Sequence, residues 1–270
     1  MSDLIKRFRA EYGHTKKSLG QHFLTNAHFI ELIADATGGG CICEIGAGCG
    51  VLTEALAKRT AELTAVEIDD TAVRFLEAHK AELFPALRLI NDDILNVELD
   101  KLYDEPITVV GNLPYNVSVK IVEHCTKYIG NIRKLVFMFQ REVAARINAS
   151  RNSREYSSLS IFCSYHYDIK KLCAISGANF YPNTEVYSTV LEFTPKGSRP
   201  LGADDEVNFF NLVRQAFSQK RKTLRNNLKG YEGLSEALSA MNLTEKARGE
   251  ELSLEQFITM YKFIVEKYSF

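Results

Sequence analysis

Asn112-Leu113-Pro114-Tyr115 follows the apolar run Ile107-Thr108-Val109-Val110, and these four residue types together could grip the amino group of a flat base. The apolar run reads as a buried parallel strand, so the tetrapeptide falls at a strand's carboxyl end, where open α/β sheets place their ligands. Pro114 fixes its own φ and drives Leu113 out of the helical region. The Asn112 amide and the Leu113 carbonyl are then presented on a stiff, extended backbone, with the Tyr115 ring beside them. An exocyclic amine on a planar ring calls for that combination: two acceptors for its two N–H bonds and a π-surface for the ring. A plain proline-containing turn fits the same four residues, so the neighbouring strand ends have to decide.

Glu44-Ile45-Gly46-Ala47-Gly48-Cys49-Gly50 lies between a strand-like and a helix-like segment. A nicotinamide or flavin fingerprint would need Gly46, Gly48 and then Gly or Ala at position 51, which is Val51. The third glycine stands one place earlier, at Gly50. This spacing favours S-adenosylmethionine, whose amino-acid end carries no pyrophosphate and needs only close backbone approach. Glu67 ends the next strand, placed to accept from two ribose hydroxyls. Asp93, in Asn91-Asp92-Asp93-Ile94, is placed to accept from the cofactor's adenine amine. Either acid alone is more commonly a solvated strand end or a helix cap; matched chemistry at three strand ends favours a nucleoside-type cofactor.

The elements that must position these groups alternate. Cys41–Ile45, Leu63–Glu67, Leu87–Ile90, Ile107–Val110 and Leu135–Phe139 read as strands; Val51–Lys58 and Thr71–Lys80 read as helices, the second with Val73, Leu76 and Phe84 on its apolar side. Such β-α repetition predicts an α/β class with a parallel, doubly wound, Rossmann-like sheet. Leu159–Tyr165, Lys171–Ile175 and Thr189–Phe193 read as further strands closing the sheet with an antiparallel hairpin. Pro195–Gly202 is a linker by composition. Beyond it the pattern is helical: Val213, Phe217, Leu224 and Leu228 share one stripe, while Arg221, Arg225 and Lys229 share another. Ser253-Leu254-Glu255-Gln256 has the form of a capping box opening a last helix. Two domains are expected: residues 1–200, with a basic N-terminal arm over 1–22, and a small helical domain over 201–270.

Apolar content of 46% and charged content of 25% are those of an ordinary globular chain. Net charge is −1, which by itself argues against a generic polyanion binder, but the charge is segregated. From Arg214 to Lys229 there are six basic residues and no acidic one; Lys6, Arg7, Arg9, Lys16 and Lys17 face only Asp3 and Glu11 in the arm. Two basic blocks predict a local anionic partner, with Lys220, Arg221, Lys222 and Arg225 as phosphate contacts. The six cysteines lack zinc spacing, and Cys41 and Cys43 read as small buried apolar residues. No run has the length of a membrane span and the N-terminus lacks a hydrophobic signal core, so the expected location is the cytoplasm.

Lys17-Ser18-Leu19-Gly20-Gln21-His22-Phe23-Leu24, the 44–50 loop, Glu67, Asp93, Asn112–Tyr115, Gln140-Arg141-Glu142-Val143 and the segment from Ala216 to Leu228 together resemble the small-subunit ribosomal RNA adenine dimethyltransferases. The likeness runs from about Lys16 to the last helix. It implies a Rossmann-like methyltransferase domain and a helical C-terminal domain. It also implies transfer of methyl groups from S-adenosylmethionine to N6 of two adjacent adenosines near the 3′ end of 16S rRNA, in small-subunit biogenesis. Carried over by position, His22 and Leu24 would border the cofactor, Gly46 and Gly48 its methionine part, Glu67 its ribose and Asp93 its adenine. Asn112, Leu113 and Tyr115 would hold the target base and Phe180 would stack on its other side. The family more often has Asn where this chain has His22, which moves that contact to the backbone. A loop that commonly reads Phe-x-Pro-Pro-Pro-Lys-Val is Phe180-Tyr181-Pro182-Asn183-Thr184-Glu185-Val186 here, less stiff and less cationic. The expected arrangement is a monomer working on 16S rRNA in the small ribosomal subunit, with no metal and no membrane.

Two other readings share these residues. One is the related 23S rRNA adenine N6-methyltransferase; Leu113 and the Phe217–Leu228 segment favour the small-subunit reading over it. The other is a non-catalytic ribosome-assembly or nucleic-acid-binding factor on the same fold, which the intact Gly46, Glu67, Asp93 and Asn112–Tyr115 argue against. A dehydrogenase is disfavoured by the glycine spacing.

Overall fold

The computed structural model of this chain describes residues 2–13, 22–114 and 116–268. Helix α1 (Asp3–Tyr12), strand β1 (Phe23–Leu24) and helix α2 (Ala27–Thr37) precede the alternating part. That part runs β2 (Ile42–Ile45), α3 (Val51–Ala57), β3 (Leu63–Glu67), α4 (Asp70–Leu83), β4 (Leu87–Asn91), β5 (Ile107–Asn112), α5 (Ser118–Lys127), β6 (Ile132–Gln140) and α6 (Arg141–Ile147). Helix α7 (Ser158–His166), β7 (Tyr167–Ile175), β8 (Phe180–Tyr181) and β9 (Ser188–Pro195) follow, then α8 (Ala203–Ala216), α9 (Leu224–Asn227), α10 (Leu234–Ala240) and α11 (Leu254–Tyr268).

The large sheet has the order β4-β3-β2-β5-β6-β9-β7. Strands β4 to β6 are mutually parallel, and β9 runs antiparallel to β6. From β2 the chain winds outward through β3 and β4, then returns to β5 on the other side. The crevice at the carboxyl ends of β2 and β5 is therefore the topological switch point, the place where such sheets hold ligands. Every residue of β2 and β3 is buried, because helices cover both faces of a parallel sheet. Within this unit α1 is a packed helix, not a loose arm: Phe8 meets Phe23 and Phe75 edge-on at 5.7 and 5.2 Å, and Leu4 and Ile5 are buried with it.

The chain divides into two compact units, residues 1–144 with 169–195, and residues 145–168 with 196–270. The second unit thus takes in a segment upstream of the linker, which the sequence reading assigned to residues 1–200. Its core gathers Ile161 and Tyr165 with Phe209, Leu212, Leu224, Phe257 and Tyr261. Two backbone-directed bonds tie the segment in: Asn152 N–H donates to the Glu250 carbonyl at 2.8 Å, and the Tyr156 hydroxyl to the Leu252 carbonyl at 3.0 Å.

Two local expectations are corrected. Leu159–Tyr165 is part of helix α7, not a strand. Leu159, Ser160, Ile161, Cys163 and Tyr165 are all buried, and a short run with no wet face carries no period that separates helix from strand. The basic stretch after Arg214 is not one continuous helix. Helix α8 stops at Ala216 and a turn occupies 217–223 before the single turn of α9. The Asn227 amide donates to the Ala216 and Gln219 carbonyls at 2.7 and 3.1 Å, and Thr223 caps α9; local side-chain bonds to the backbone compete with helix propagation. The last helix starts as expected, with reciprocal Ser253 and Gln256 bonds of 3.0 and 3.3 Å.

Among the described residues no helix is long and apolar enough to cross a membrane, and no group of three or more His, Cys, Asp or Glu could hold a metal ion. None of the six cysteines is in a disulfide, and burial pushes the Cys43 and Cys49 thiols up to about 12.

Candidate functional site

A cavity of about 220 Å³ opens at the carboxyl edge of β2, β3, β4 and β5. Its polar wall carries Gly46, Gly48, Glu67, Asp93 and Asn112, and its apolar wall Ile68, Ile94, Val117 and Ile121. A smaller cavity of about 50 Å³ shares His22, Gly46 and Asn112 with it and adds Leu24, Glu44 and Met138. Register explains how distant residues converge, since Ile45 pairs with Gly111 and Val66 with Ile45. The glycine loop after β2 and the turn after β5 must then stand side by side.

Gly46 and Gly48 sit at φ +72° and +55°, left-handed conformations that side chains seldom adopt. A Cβ built on Gly48 would lie 2.7 Å from the Phe23 ring, whereas one built on Gly46 would meet no atom within 4 Å. Gly46 therefore keeps a space at the cavity wall that any other residue would fill. Glu67 is buried and both its oxygens are engaged: Oε2 accepts from Gly48 N–H and Oε1 from Asp69 N–H, each at 2.8 Å. This carboxylate shapes the loop, and each oxygen keeps a lone pair for a further donor. Burial raises the Glu67 carboxyl above its ordinary value, while the two N–H bonds act against that rise. Asp93 accepts from Leu95 N–H at 3.0 Å through Oδ1, so it caps a short 3-10 turn as well as lining the cavity.

Asn112 is held by one specific bond, in which its Nδ2 donates to the His22 carbonyl at 3.0 Å. That bond decides the orientation of the amide: Nδ2 is committed, and no described residue claims Oδ1. His22 in turn donates from Nδ1 to the Pro182 carbonyl at 2.8 Å. The His22 main chain, not its imidazole, meets Asn112, so the exchange of Asn for His at this position leaves the Asn112 contact in place. Leu113 is buried and its N–H reaches the Met138 carbonyl at 3.3 Å. Tyr115 lies outside the described residues, as do Lys16, Lys17 and Gln21 of the N-terminal arm. Phe180 differs from the expectation of a free stacking face. It is 3% exposed, pairs with Leu24 across the β1–β8 ladder and lines neither cavity; packing against the core consumes its ring.

In the helical unit, Lys220, Arg221 and Lys222 lie in the exposed turn before α9. Lys220 donates to the Arg154 carbonyl, and Arg225 pairs with Glu245. Arg221 and Lys222 are the two of these four cations with neither an ion pair nor a hydrogen bond to a described residue, a distinction invisible in the sequence because Glu245 is twenty residues from Arg225.

Two lining residues escaped the sequence reading. Ile68 is 54% exposed, an apolar side chain directly after Glu67 with a free flank at the cavity. Its signal was its position, one residue beyond an acidic strand end. Glu44 was read only as part of the loop. It is buried, accepts from the Thr53 hydroxyl at 2.6 Å, and its carboxyl is pushed up to about 7 by burial, with the nearby Glu67 charge adding to the rise. Glu44 thus binds its proton more tightly in the folded chain than in the unfolded one. Its contribution to stability is complete below about pH 4.5 and is lost as pH rises through about 7, on the order of 3 kcal/mol across that window. Glu44→Gln keeps an acceptor for Thr53 and removes the titration. Urea unfolding of both proteins from pH 4.5 to 8 should show the variant gaining on the parent as pH rises; a constant difference would contradict this.

The profile of the family described as ribosomal RNA adenine dimethylase matches residues 13–266. The protein named ribosomal RNA small subunit methyltransferase A of Proteus mirabilis (strain HI4320) is 35% identical over 256 residues, covering 92% of this chain and 93% of that protein. Its namesake from Streptococcus pneumoniae (strain P1031) is 37% identical over 275 residues, covering 95% and 94%. Among solved structures, a dimethyladenosine transferase from Plasmodium falciparum superposes with a TM-score of 0.76 at 24% identity, covering 88% of this chain and 96% of that one. The 23S rRNA methyltransferase ErmE superposes with a TM-score of 0.72 at 22% identity, covering 90% and 99%. These two establish the shared fold, a Rossmann-like methyltransferase sheet followed by helices. With the profile spanning nearly all of the chain and the curated relatives well above 30% identity over nearly their whole length, this chain belongs to the ribosomal RNA adenine dimethylase family.

Proposed function

We propose that this chain is an S-adenosylmethionine-dependent enzyme that dimethylates N6 of two adjacent adenosines near the 3′ end of 16S rRNA in the small ribosomal subunit. Family membership supports the reaction class. The observation that carries the site is the Asn112 amide: its nitrogen is tied to the His22 carbonyl, so its oxygen is the atom offered at the mouth of a glycine-lined cavity.

The residues present fit the cofactor. Gly46 and Gly48 would border the methionine end, with His22 and Leu24 beside it; Glu67 would take the ribose hydroxyls and Asp93 the adenine amine, against Ile68 and Ile94. When bound, S-adenosylmethionine supplies an electrophilic methyl group. The task left to the protein is to make a poor nucleophile competent, because the N6 lone pair of adenine is delocalised into its ring. Asn112 Oδ1 and the Leu113 carbonyl accept the two N6 hydrogens best when the nitrogen is tetrahedral, and that geometry localises the lone pair. Acceptors held in place beforehand stabilise the transition state without reorganising. Positioning of two bound partners supplies much of the remainder. The base is extruded from its strand to reach this pocket, with Tyr115 supplying a stacking face. Once methylated, the cationic nitrogen is acidic and its proton passes to water, so neither Asn112 nor Leu113 has to act as a base.

The test is incubation of undermethylated small subunits and, separately, of unmodified 23S rRNA with labelled cofactor, followed by nucleoside analysis. Label in N6,N6-dimethyladenosine from the small subunits is the expected result; label only in the 23S rRNA would favour the other family reaction, and none in either would end the proposal.

Phosphate contacts by the turn before α9 predict a specific salt response. Replacing both Arg221 and Lys222 with Ala should reduce the slope of log affinity against log salt by about 1.5. Arg225→Ala, already paired with Glu245, should change it much less. Filter binding of small-subunit RNA at several salt concentrations reads this directly, and equal slopes would mark the turn as a solvated surface.

A further inference from the structure

The carboxyl edge of the sheet carries an exposed aromatic ring outside both cavities. Tyr187, just before β9, is 51% exposed, and with Ile68 and Val207 it belongs to the large hydrophobic residues open to water among the described residues. Ile68 lines the cavity, and Tyr187 stands at the same edge. Ser188 pairs with Gln140 at the end of β6, and Asn112 pairs with Met138 two residues earlier on that strand. Strand spacings of about 3.3 Å per residue and about 4.8 Å between neighbours place the Tyr187 backbone about 14 Å from that of Asn112, a gap that a tyrosine side chain and one nucleotide span together. Arg141 joins the ring: its backbone N–H donates to the Tyr187 carbonyl at 2.9 Å, and its guanidinium carbon lies 5.4 Å from the ring centroid. The Arg141 side chain is 65% exposed and, among the described residues, otherwise reaches its neighbour Glu142 at 3.2 Å. An exposed pair of that kind is weakly held and readily exchanged.

We propose that Tyr187 and Arg141 form a stacking platform for the base that flanks the target adenosine in single-stranded RNA. The inference rests on the adenosine-methylating reading of the cavity. Extruding the adenosine strips its neighbour of a stacking partner, and an aromatic ring beside a guanidinium is a surface on which unstacked RNA bases settle. Tyr187 takes the flanking base. Arg141 exchanges Glu142 for the phosphate between the two nucleotides, a charge-assisted contact. The platform accepts any base, because every base offers a π-face, so it anchors the strand without reading sequence.

Two measurements test this on the full chain. In steady-state methylation of undermethylated small subunits, Tyr187→Ala should raise the KM for the subunit about tenfold with the saturating rate and cofactor affinity retained, and Tyr187→Phe should restore the KM. In direct binding, short single-stranded oligoribonucleotides carry 2-aminopurine on the 5′ or the 3′ side of the adenosine. One of the two should be quenched by the wild-type chain and by Tyr187→Phe, but not by Tyr187→Ala. A Tyr187→Ala enzyme with unchanged KM, or quenching that survives loss of the ring, overturns the platform. If the wild-type chain methylates no adenosine at all, the proposed function fails by itself, and the oligonucleotide arm still decides whether Tyr187 stacks on a base. A merely structural ring would lower stability and the saturating rate together, leaving KM and quenching in place, and that outcome also overturns the proposal.

Discussion

Replacing Asn112 with Ala should lower methyl transfer about a hundredfold, the size of effect seen when one preorganised group facing developing charge is lost. Two features of the structure make this the largest catalytic effect expected. The amide offers its oxygen because its nitrogen is bonded to the His22 carbonyl at 3.0 Å, so no other atom of the side chain can substitute for Oδ1. The adjoining acceptor, the Leu113 carbonyl, belongs to the main chain and survives the substitution, which is why the loss is bounded and not total. Cofactor affinity should change little, because Gly46, Glu67 and Asp93 remain. Asn112→Asp is the informative companion: it keeps an oxygen but sets a carboxylate against the His22 carbonyl, so it should be impaired to a similar degree. Single-turnover methylation with saturating cofactor separates this from binding effects, and a near-normal rate in the Ala variant would remove Asn112 from the mechanism.

The second large effect is expected at Glu67. Its carboxylate holds the Gly48 and Asp69 N–H groups and is proposed to accept from the ribose at the same time. Glu67→Ala takes away bonds to a charged acceptor, worth about 1.5–3 kcal/mol, and leaves two buried N–H groups without partners at about 1–3 kcal/mol each. Cofactor affinity should therefore fall by about a hundredfold, together with a measurable drop in the unfolding midpoint. Glu67→Gln retains one acceptor and should lie between the two. Isothermal titration with S-adenosylmethionine, paired with thermal unfolding of the free proteins, distinguishes the contributions. A variant that is less stable yet binds with unchanged affinity would confine Glu67 to shaping the glycine loop.

Much of the site was legible in the residues because its parts end consecutive strands. Gly46, Gly48, Glu67, Asp93 and Asn112 each follow an apolar run, and a doubly wound sheet brings the carboxyl ends of its strands to one edge. Glu44 and Ile68 lay inside the same motifs, but their parts depend on burial and on a free flank, which no spacing announces. The basic cluster was legible as charge and not as free charge, since the partner of Arg225 comes from a distant segment. Phe180 was assigned by position in a motif, and the β1–β8 ladder turns that position into the core.

What the amino-acid sequence determined by itself is the alternation of strands and helices, the left-handed glycine turn, the stiff Asn112–Pro114 edge and the capped last helix. Each follows from interactions within a few residues: side-chain periodicity, the missing glycine Cβ, the proline ring, a Ser and Gln bonding across one helical turn. Tertiary structure alone decided that Leu159–Tyr165 is helical, that residues 145–168 join the C-terminal helices, and that His22 fixes which atom Asn112 presents. Those outcomes depend on which distant groups exclude water from one another, and a buried polar group must take whatever partner the fold brings to it.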